Sequence, residues 1–263
     1  MPAIGPFNPE KKAAIVATIG ENPLETAKKA AALGADVLEL RLDLAGIKTP
    51  EAAAEMIGKL KAETGLPLLV TNRSPEEGGK GEGSEEERIG LLKALFFSEE
   101  KRKGASAPDS GSFFTCPDAV DIELSAEKKL REDLIKAAKE QRKTVIVSYH
   151  NFSKTPPVQE MKAILEEAFR AGADIAKIAV MPESLEDVLS LLRVTLEARK
   201  KNRPVCTISM GEPGKHTRII APFYGSVLTY ASVEKAAAPG QLRVDRVKKA
   251  MELLGENEIN CRK

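Results

Sequence analysis

The chain has 263 residues, of which 42% are hydrophobic, and this is enough for a sizeable core in either two small domains or one α/β barrel. Lys and Arg (40) nearly balance Asp and Glu (39), which argues against a protein that binds nucleic acid through a broad basic surface. No apolar run approaches the roughly 18 residues of a membrane helix, and the first residues contain no apolar secretory signal.

Short β-branched apolar runs alternate with longer amphipathic segments along the chain. The predicted strands are Ala14–Ile19, Val37–Leu42, Leu68–Asn72, Val120–Leu124, Thr144–Tyr149, Ile175–Val180, Val205–Met210 and Ser226–Tyr230. The predicted helices are Leu24–Leu33, Glu51–Glu63, Glu85–Phe97, Glu127–Gln141, Val158–Ala171, Leu185–Lys200 and Arg243–Leu254. Prolines and glycines interrupt the connection from Met210 to Ser226, so helix is least regular there. Eight strands that alternate with helices predict a (β/α)8 TIM barrel of the α/β class.

A doubly wound open sheet is the alternative architecture. It usually carries a glycine-rich turn after the first strand, but here that strand is followed by Gly20-Glu21-Asn22-Pro23. A weak internal repeat favours the barrel, because residues 32–40 and 170–178 share a helix end, a Gly-Ala-Asp turn and a strand. We therefore predict one barrel domain over residues 1–263. The Lys-, Gly- and Ser-rich stretch 98–115 is expected to be a loop insertion on the face away from the chemistry.

Charged and polar residues occupy the ends of strands that should be apolar on both faces. They are Glu39 and Arg41, Thr71 and Arg73, Asp121 and Glu123, Ser148 and His150, and Lys177. Residues two apart on a strand share a face, so the mouth of the barrel should hold acids, bases and cations together. Buried ions cost several kcal/mol each unless they are paired. A catalytic site is therefore favoured, although a structural ion network remains the alternative, above all for Asp121 and Glu123.

Lys177 and His150 are the sharpest candidates for chemistry. Lys177 lies between Ile and Ala residues, and burial beside arginines should favour a neutral, nucleophilic amine. A lysine that merely extends to solvent is the structural alternative. His150 ends an apolar strand and can move protons near neutral pH, whereas His216 lies in a Gly/Pro-containing loop and is expected to be solvated.

Several cofactor signatures are missing from the sequence. It has no HExxH motif, no histidine cluster, no P-loop and no Gly-Xaa-Ser-Xaa-Gly elbow. The three cysteines, Cys116, Cys206 and Cys261, are widely spaced and predict reduced thiols in a cytoplasmic protein. The cluster Gly78-Gly79 with Gly81 predicts a flexible loop after a strand. These residues therefore predict no metal site.

Six short pieces, in order and at similar spacing, resemble type I 3-dehydroquinate dehydratase. They are residues 39–43, 71–73 with 77–79, 148–152, 173–179, 208–211 with Arg218, and 238–241. The resemblance implies a (β/α)8 barrel, usually a homodimer, without cofactor and without nucleic-acid or membrane partners. It implies the dehydration of 3-dehydroquinate to 3-dehydroshikimate, a step of the shikimate pathway to aromatic amino acids.

The resemblance also implies a role for individual residues. Lys177 would form the Schiff base, His150 would be the general acid and base, and Glu77 would tune His150. The residues expected to bind or surround substrate are Arg218 for its carboxylate, Glu39, Arg41 and Arg73 for its ring hydroxyls, and Met210 and Gln241 for the pocket wall and the covering loop. Ala237 departs from the family, which tends to carry serine there, so a hydroxyl contact in that loop is missing.

Two other functions are compatible with parts of this pattern. A class I aldolase would share the barrel and the lysine, but it would need a phosphate cradle that the sequence does not show. A ligand-sensing domain of a regulator would have lost Lys177 or His150 and would carry a DNA-binding segment, for which this chain has no room.

Overall fold

The computed structural model describes residues 3–8, 12–97 and 116–255, so the insertion predicted at 98–115 lies outside the described residues. The strands of the described residues are β1 Ala14–Ile19, β2 Val37–Arg41, β3 Leu68–Thr71, β4 Ala119–Glu123, β5 Thr144–Asn151, β6 Ile175–Val180, β7 Val205–Ser209 and β8 Leu228–Ala231. One parallel sheet contains these strands, in the order β7-β6-β5-β4-β3-β2-β1-β8. A parallel bridge between Val205 and Ser226 joins the two outer strands, and the sheet is thereby nearly closed into a barrel. The predicted (β/α)8 architecture is confirmed.

Helices surround the barrel; each long helix connects one strand to the next, except the last, which follows β8. The longer helices are Pro23–Leu33, Pro50–Thr64, Glu85–Ala94, Lys128–Glu140, Val158–Arg170, Leu185–Lys200, Thr217–Tyr224 and Val244–Leu253. Every predicted helix is present, and the ends move by a few residues at most. The helix predicted to reach Phe97 ends at Ala94. The irregular connection after Met210 forms two short helices, Gly211–Gly214 and Thr217–Tyr224.

Successive side chains of a strand point to opposite faces of the sheet, so the barrel has an outer and an inner layer of side chains. Outward residues of the strands pack against the helices and form the larger hydrophobic cluster. Inward residues near the amino ends of the strands form a second apolar cluster that includes Val16, Val37, Leu69 and Ile146. Towards the carboxyl ends the inward positions become polar, so chemistry is confined to that end of the barrel, as in other barrels of this kind.

A short turn at the amino terminus closes the opposite end. Ile4 and Phe7 exchange two backbone hydrogen bonds of 3.0 Å, and the Ile4 side chain is fully buried in the inner apolar cluster. The Thr144 hydroxyl at the start of β5 donates to the carbonyl of Ala3 at 2.6 Å. In the described ranges, no helix is long and apolar enough to cross a bilayer.

Because Ile4 fills the base of the barrel, we expect Ile4→Ala to leave a cavity and to lower the free energy of unfolding by about 3 kcal/mol. Urea denaturation followed by circular dichroism measures this change. The control is Leu253→Ala, since Leu253 is 78% exposed and should have almost no effect. Equal stability of the two variants would show that the amino-terminal turn does not pack inside the barrel.

Candidate active site

The polar mouth of the barrel is a single pocket that brings the predicted site residues together. All nine line it: Glu39, Arg41, Arg73, Glu77, His150, Lys177, Met210, Arg218 and Gln241. The pocket also contains residues that we did not predict, among them Thr18, Phe152, Ala179, Ile208 and Tyr230. His216 is exposed and lies outside the pocket, as expected from its loop position.

Lys177 lies on the inner face of β6 and is only 4% exposed. Its Nζ donates to Oδ2 of Asp121 at 2.9 Å, and it stands 4.1 Å from the centroid of the Tyr230 ring. The sequence had indicated cationic neighbours that repel the amine, but the structure adds a carboxylate and an aromatic face that both favour a positive charge. The site therefore accommodates a cation at this nitrogen, whether ammonium or iminium.

Asp121 connects Lys177 to the rest of the buried network. Its Oδ1 accepts from Arg73 Nη2 at 2.8 Å and from the Ser148 hydroxyl at 2.6 Å. Burial opposes its ionisation, but the charges of Arg73 and Lys177 prevail and hold the pKa of Asp121 well below its usual range. Asp121 is thus a carboxylate at any physiological pH and does not act as a proton acceptor.

The sequence left open whether Glu123 belongs to a structural ion network, and the structure places it in one. Its carboxylate pairs with Arg73 at 3.0 Å and with Arg88 at 2.8 Å, below the pocket surface. Glu123 therefore holds Arg73 in position from behind, while Asp121, two residues earlier, contacts Lys177. One strand carries both a structural carboxylate and a carboxylate of the site.

His150 and Glu77 form a second hydrogen-bonded pair at the pocket wall. Oε2 of Glu77 lies 2.8 Å from Nδ1 of His150 and also accepts the backbone N–H of His150 at 3.0 Å. The Ser125 hydroxyl donates to Oε1 at 2.6 Å. Because these donors favour the ionised carboxylate, the proton of neutral His150 belongs on Nδ1, and Nε2 is the basic nitrogen.

Electrostatics set the ionisation of this pair. Burial, and then the charges of Arg73 and Lys177, lower the pKa of His150 well below its usual value. Burial raises the pKa of Glu77 to about 7, although Ser125 and Arg73 act in the opposite direction. A neutral imidazole beside a carboxylate that titrates near neutrality is suited to general acid and base catalysis.

Arg218 is a buried cation whose three hydrogen bonds to described residues all go to backbone carbonyls. It contacts Gly240 at 2.9 Å, Pro239 at 2.9 Å and Tyr230 at 3.2 Å, and only 2% of it is exposed. Within residues 3–8, 12–97 and 116–255, no carboxylate forms an ion pair with it. Burial lowers its pKa to about 10. A buried guanidinium without a counter-ion attracts an anion.

The loop after β8 covers the pocket through Gln241. The side-chain oxygen of Gln241 accepts from the backbone N–H of Ala237 at 2.7 Å and of Ala238 at 3.3 Å. The hydroxyl that Ala237 lacks is therefore not needed to fold this loop, because Gln241 and the Arg218 guanidinium already hold its backbone.

Glu39 and Arg41, two further predicted site residues, also form hydrogen bonds with protein groups. Glu39 accepts from Thr18 at 3.1 Å and from Thr71 at 2.9 Å. Arg41 forms a two-bond ion pair with Asp43, at 2.8 and 2.7 Å. These partners orient the carboxylate and the guanidinium, and they leave part of each group facing the pocket.

Gly78 and Gly79 pack tightly beside Glu77, whereas the sequence indicated a flexible loop. Gly78 ends a short 3-10 helix, Pro75–Glu77, at a φ of 83°, which favours glycine. A Cβ on Gly79 would lie 1.9 Å from the carbonyl oxygen of Arg73. This close approach fixes the position of Glu77 opposite His150.

Among the described residues, no group of three His, Cys, Asp or Glu side chains could hold a metal ion.

Comparison with known proteins gives a consistent result. Residues 13–258 match the model of the family described as Type I 3-dehydroquinase. A 3-dehydroquinate dehydratase of Methanosarcina acetivorans is 62% identical over 97% of this chain and 100% of its own length. The crystal structure of 3-dehydroquinate dehydratase from Geobacillus kaustophilus has a TM-score of 0.81 and 33% identity, over 92% of this chain and 91% of that one.

A second solved structure is informative about chemistry. Type I 3-dehydroquinate dehydratase from Clostridium difficile, solved with covalent modified comenic acid, has a TM-score of 0.81 and 29% identity. The match covers 95% of this chain and 94% of that chain.

Removing the charge of Asp121 should destabilise the protein, because Arg73 and Lys177 would be left as buried cations with less compensation. We expect Asp121→Asn to lower the free energy of unfolding by about 3 kcal/mol, measured by urea denaturation. The matched control is Glu82→Gln, which removes one partner of the Lys48–Glu82 ion pair on the surface and should change little. Similar effects of both variants would contradict the central position of Asp121.

Proposed function

The chain belongs to the type I 3-dehydroquinase family, and on that premise we propose that it dehydrates 3-dehydroquinate to 3-dehydroshikimate through an imine on Lys177. The enzyme is then a hydro-lyase of the shikimate pathway to aromatic amino acids. The observation that carries this proposal is that one pocket contains a buried amine, a neutral imidazole and a guanidinium without an acidic partner among the described residues. The named relatives point to the same reaction.

The first step forms the imine. The Lys177 ammonium loses a proton, its nitrogen attacks the C3 carbonyl, and the carbonyl oxygen leaves as water after it has gained two protons. The product is an iminium that retains the positive charge of the nitrogen. Asp121, 2.9 Å from Nζ, then serves as its counter-ion without becoming protonated. The iminium withdraws electrons and makes the neighbouring C2 proton far more acidic than that of the ketone.

The second step is the elimination. Nε2 of His150 takes the C2 proton, and the electron pair moves toward the iminium nitrogen. The imidazolium, stabilised by Glu77 at Nδ1, then gives the proton to the C1 hydroxyl. The electron pair returns from nitrogen and forms the C1=C2 double bond, while the C1–O bond breaks and water departs. One histidine serves both groups, so both lie on one face of the ring and the elimination is syn. Water finally hydrolyses the imine and frees Lys177.

Arg218 is proposed to hold the substrate carboxylate. It is the buried cation without an acidic partner in the described part of the chain, and a guanidinium suits a planar anion. Its present partners are carbonyls of the covering loop and of β8, so binding of the carboxylate and closure of the loop are linked. This carboxylate site also favours a dehydratase over an aldolase that acts on sugar phosphates.

Covalent chemistry has independent support from a relative. The Clostridium difficile structure, solved with covalent modified comenic acid, belongs to the same family and shares the fold of this chain. We also propose that the chain is a cytoplasmic homodimer that needs no cofactor, as the family resemblance implies. Light scattering of the purified protein measures the oligomeric state.

The imine predicts a specific covalent product. After incubation with 3-dehydroquinate and sodium borohydride, peptide mass spectrometry should find the reduced ligand on Lys177. The control Lys177→Met keeps the side-chain volume and removes the amine, so it should carry no ligand and should have lost activity. A folded, unmodified wild-type protein, or a ligand on another lysine, would refute the mechanism.

The pKa values of the Glu77–His150 pair predict a pH dependence. Neutral His150 beside ionised Glu77 is the active form, so kcat/KM should fall as the pH drops through about 7, where Glu77 becomes protonated. Glu77→Gln removes this titration and leaves the lowered pKa of His150, so the acid limb should move to lower pH and kcat should fall roughly 10-fold. An unchanged acid limb in Glu77→Gln would contradict this assignment. Activity is followed by the absorbance of the conjugated product.

A further inference from the structure

Tyr230 has a buried hydroxyl that is not bonded to any described residue. It lies on β8, is 4% exposed, and lines the same pocket as Lys177 and Arg218. Its phenolic oxygen has no hydrogen-bond partner in the described ranges. Buried tyrosine hydroxyls are normally bonded, because an unpaired polar group away from water costs stability. A partner absent from the free protein would explain this arrangement.

The position of the ring is fixed from two sides. Tyr230 pairs in register with Val16, an inward residue of β1, so its side chain also points into the barrel. Its backbone carbonyl accepts from Arg218 Nη1 at 3.2 Å. The ring then lies 4.1 Å from Lys177 Nζ. The phenol is therefore placed beside the reacting nitrogen and is not free to rotate towards solvent.

The Tyr230 hydroxyl stays neutral, and in this form it can both donate and accept a hydrogen bond. Burial, and then the charges of Glu39 and Asp121, raise the pKa of Tyr230 well above its ordinary value. A neutral phenol that does not ionise cannot take the proton of C2. Its chemistry is confined to hydrogen bonding, for which a substrate hydroxyl is a suitable partner.

Topology indicates which part of the substrate it meets. His150 is on β5, on one side of Lys177 in β6, whereas Tyr230 is on β8, on the other side. If the C2 carbon of the imine faces His150, the C4 carbon faces away from His150 and towards the side of Tyr230. The C4 hydroxyl is attached next to the imine carbon, within the region that the ring and the Glu39 carboxylate border.

We propose that Tyr230 is a positioning and specificity residue: its ring covers the Lys177 nitrogen, and its hydroxyl bonds the C4 hydroxyl of the bound substrate. This inference rests on the proposed function. The substrate carboxylate would then neutralise the Arg218 guanidinium, which has no acidic partner among the described residues, and a ring hydroxyl would bond the Tyr230 phenol, which has no hydrogen-bond partner there. Ketones that lack the neighbouring hydroxyl would be discriminated against.

Tyr230→Phe tests the hydroxyl and keeps the ring. We expect KM for 3-dehydroquinate to rise about 3- to 10-fold, with kcat changed by less than about 2-fold, because one neutral hydrogen bond to bound substrate is lost. The unfolding midpoint of the free variant should be equal to or higher than that of the wild type, since a buried unpaired group is removed. The control is Tyr149→Phe, whose hydroxyl accepts from Asn151 at 3.2 Å and is not part of the pocket, so KM should not change.

The other outcomes are distinguishable. If the wild type does not dehydrate 3-dehydroquinate, the proposed function itself fails. If the wild type is active and Tyr230→Phe has an unchanged KM, the inference about the hydroxyl is wrong. A lowered unfolding midpoint in Tyr230→Phe would indicate that the hydroxyl bonds a protein group in the wild type, and this would also overturn the inference. Tyr230→Leu, which removes the ring, should reduce the yield of the borohydride-trapped imine relative to Tyr230→Phe.

Discussion

The arrangement of this site depends on the need to compensate buried charge at the carboxyl ends of the strands. Asp121 contacts Lys177, Arg73 and Ser148 within 2.9 Å, and it is almost completely buried. Without this carboxylate, two cations would share a space that excludes water. With it, a positive charge on the Lys177 nitrogen is tolerated, and this is the charge that an imine mechanism must stabilise.

Some charged and polar groups of the pocket have protein partners among the described residues, and others do not. Glu39, Arg41, Arg73 and Asp121 have protein partners, which fix their orientation in the free protein. Arg218 lacks an acidic partner in the described part of the chain, and the Tyr230 hydroxyl lacks any partner there. Burying a charge without a counter-ion, or a hydroxyl without a hydrogen bond, costs stability in general. In the proposed function, the carboxylate and a hydroxyl of the substrate would supply both partners.

The register of the strands places the charged and polar side chains of the site at a similar height in the barrel. Thr71 pairs with Asp121, Glu123 pairs with Ser148, and Ser148 pairs with Lys177 across three adjacent strand pairs. Parallel strands with one common stagger keep these side chains on the inner face, while Ile4 and the apolar layer below them exclude water from the base. Strands form the pocket walls, and hydrogen bonds of Arg218 and Gln241 hold the covering loop.

Local sequence determined the elements and the nature of the chemistry. Apolar β-branched runs such as Ile175–Val180 and Ala14–Ile19 gave strands with the predicted ends, because a strand buried on both faces has few alternatives. A lysine and a histidine inside such runs already indicated a reactive site, and the substrate followed from the resemblance. The tertiary structure decided the partners: Asp121 for Lys177, backbone carbonyls for Arg218 and, among the described residues, none for the Tyr230 hydroxyl. Those pairings join strands far apart in the chain, and only the register and closure of the barrel set the distances on which hydrogen bonds and ion pairs depend.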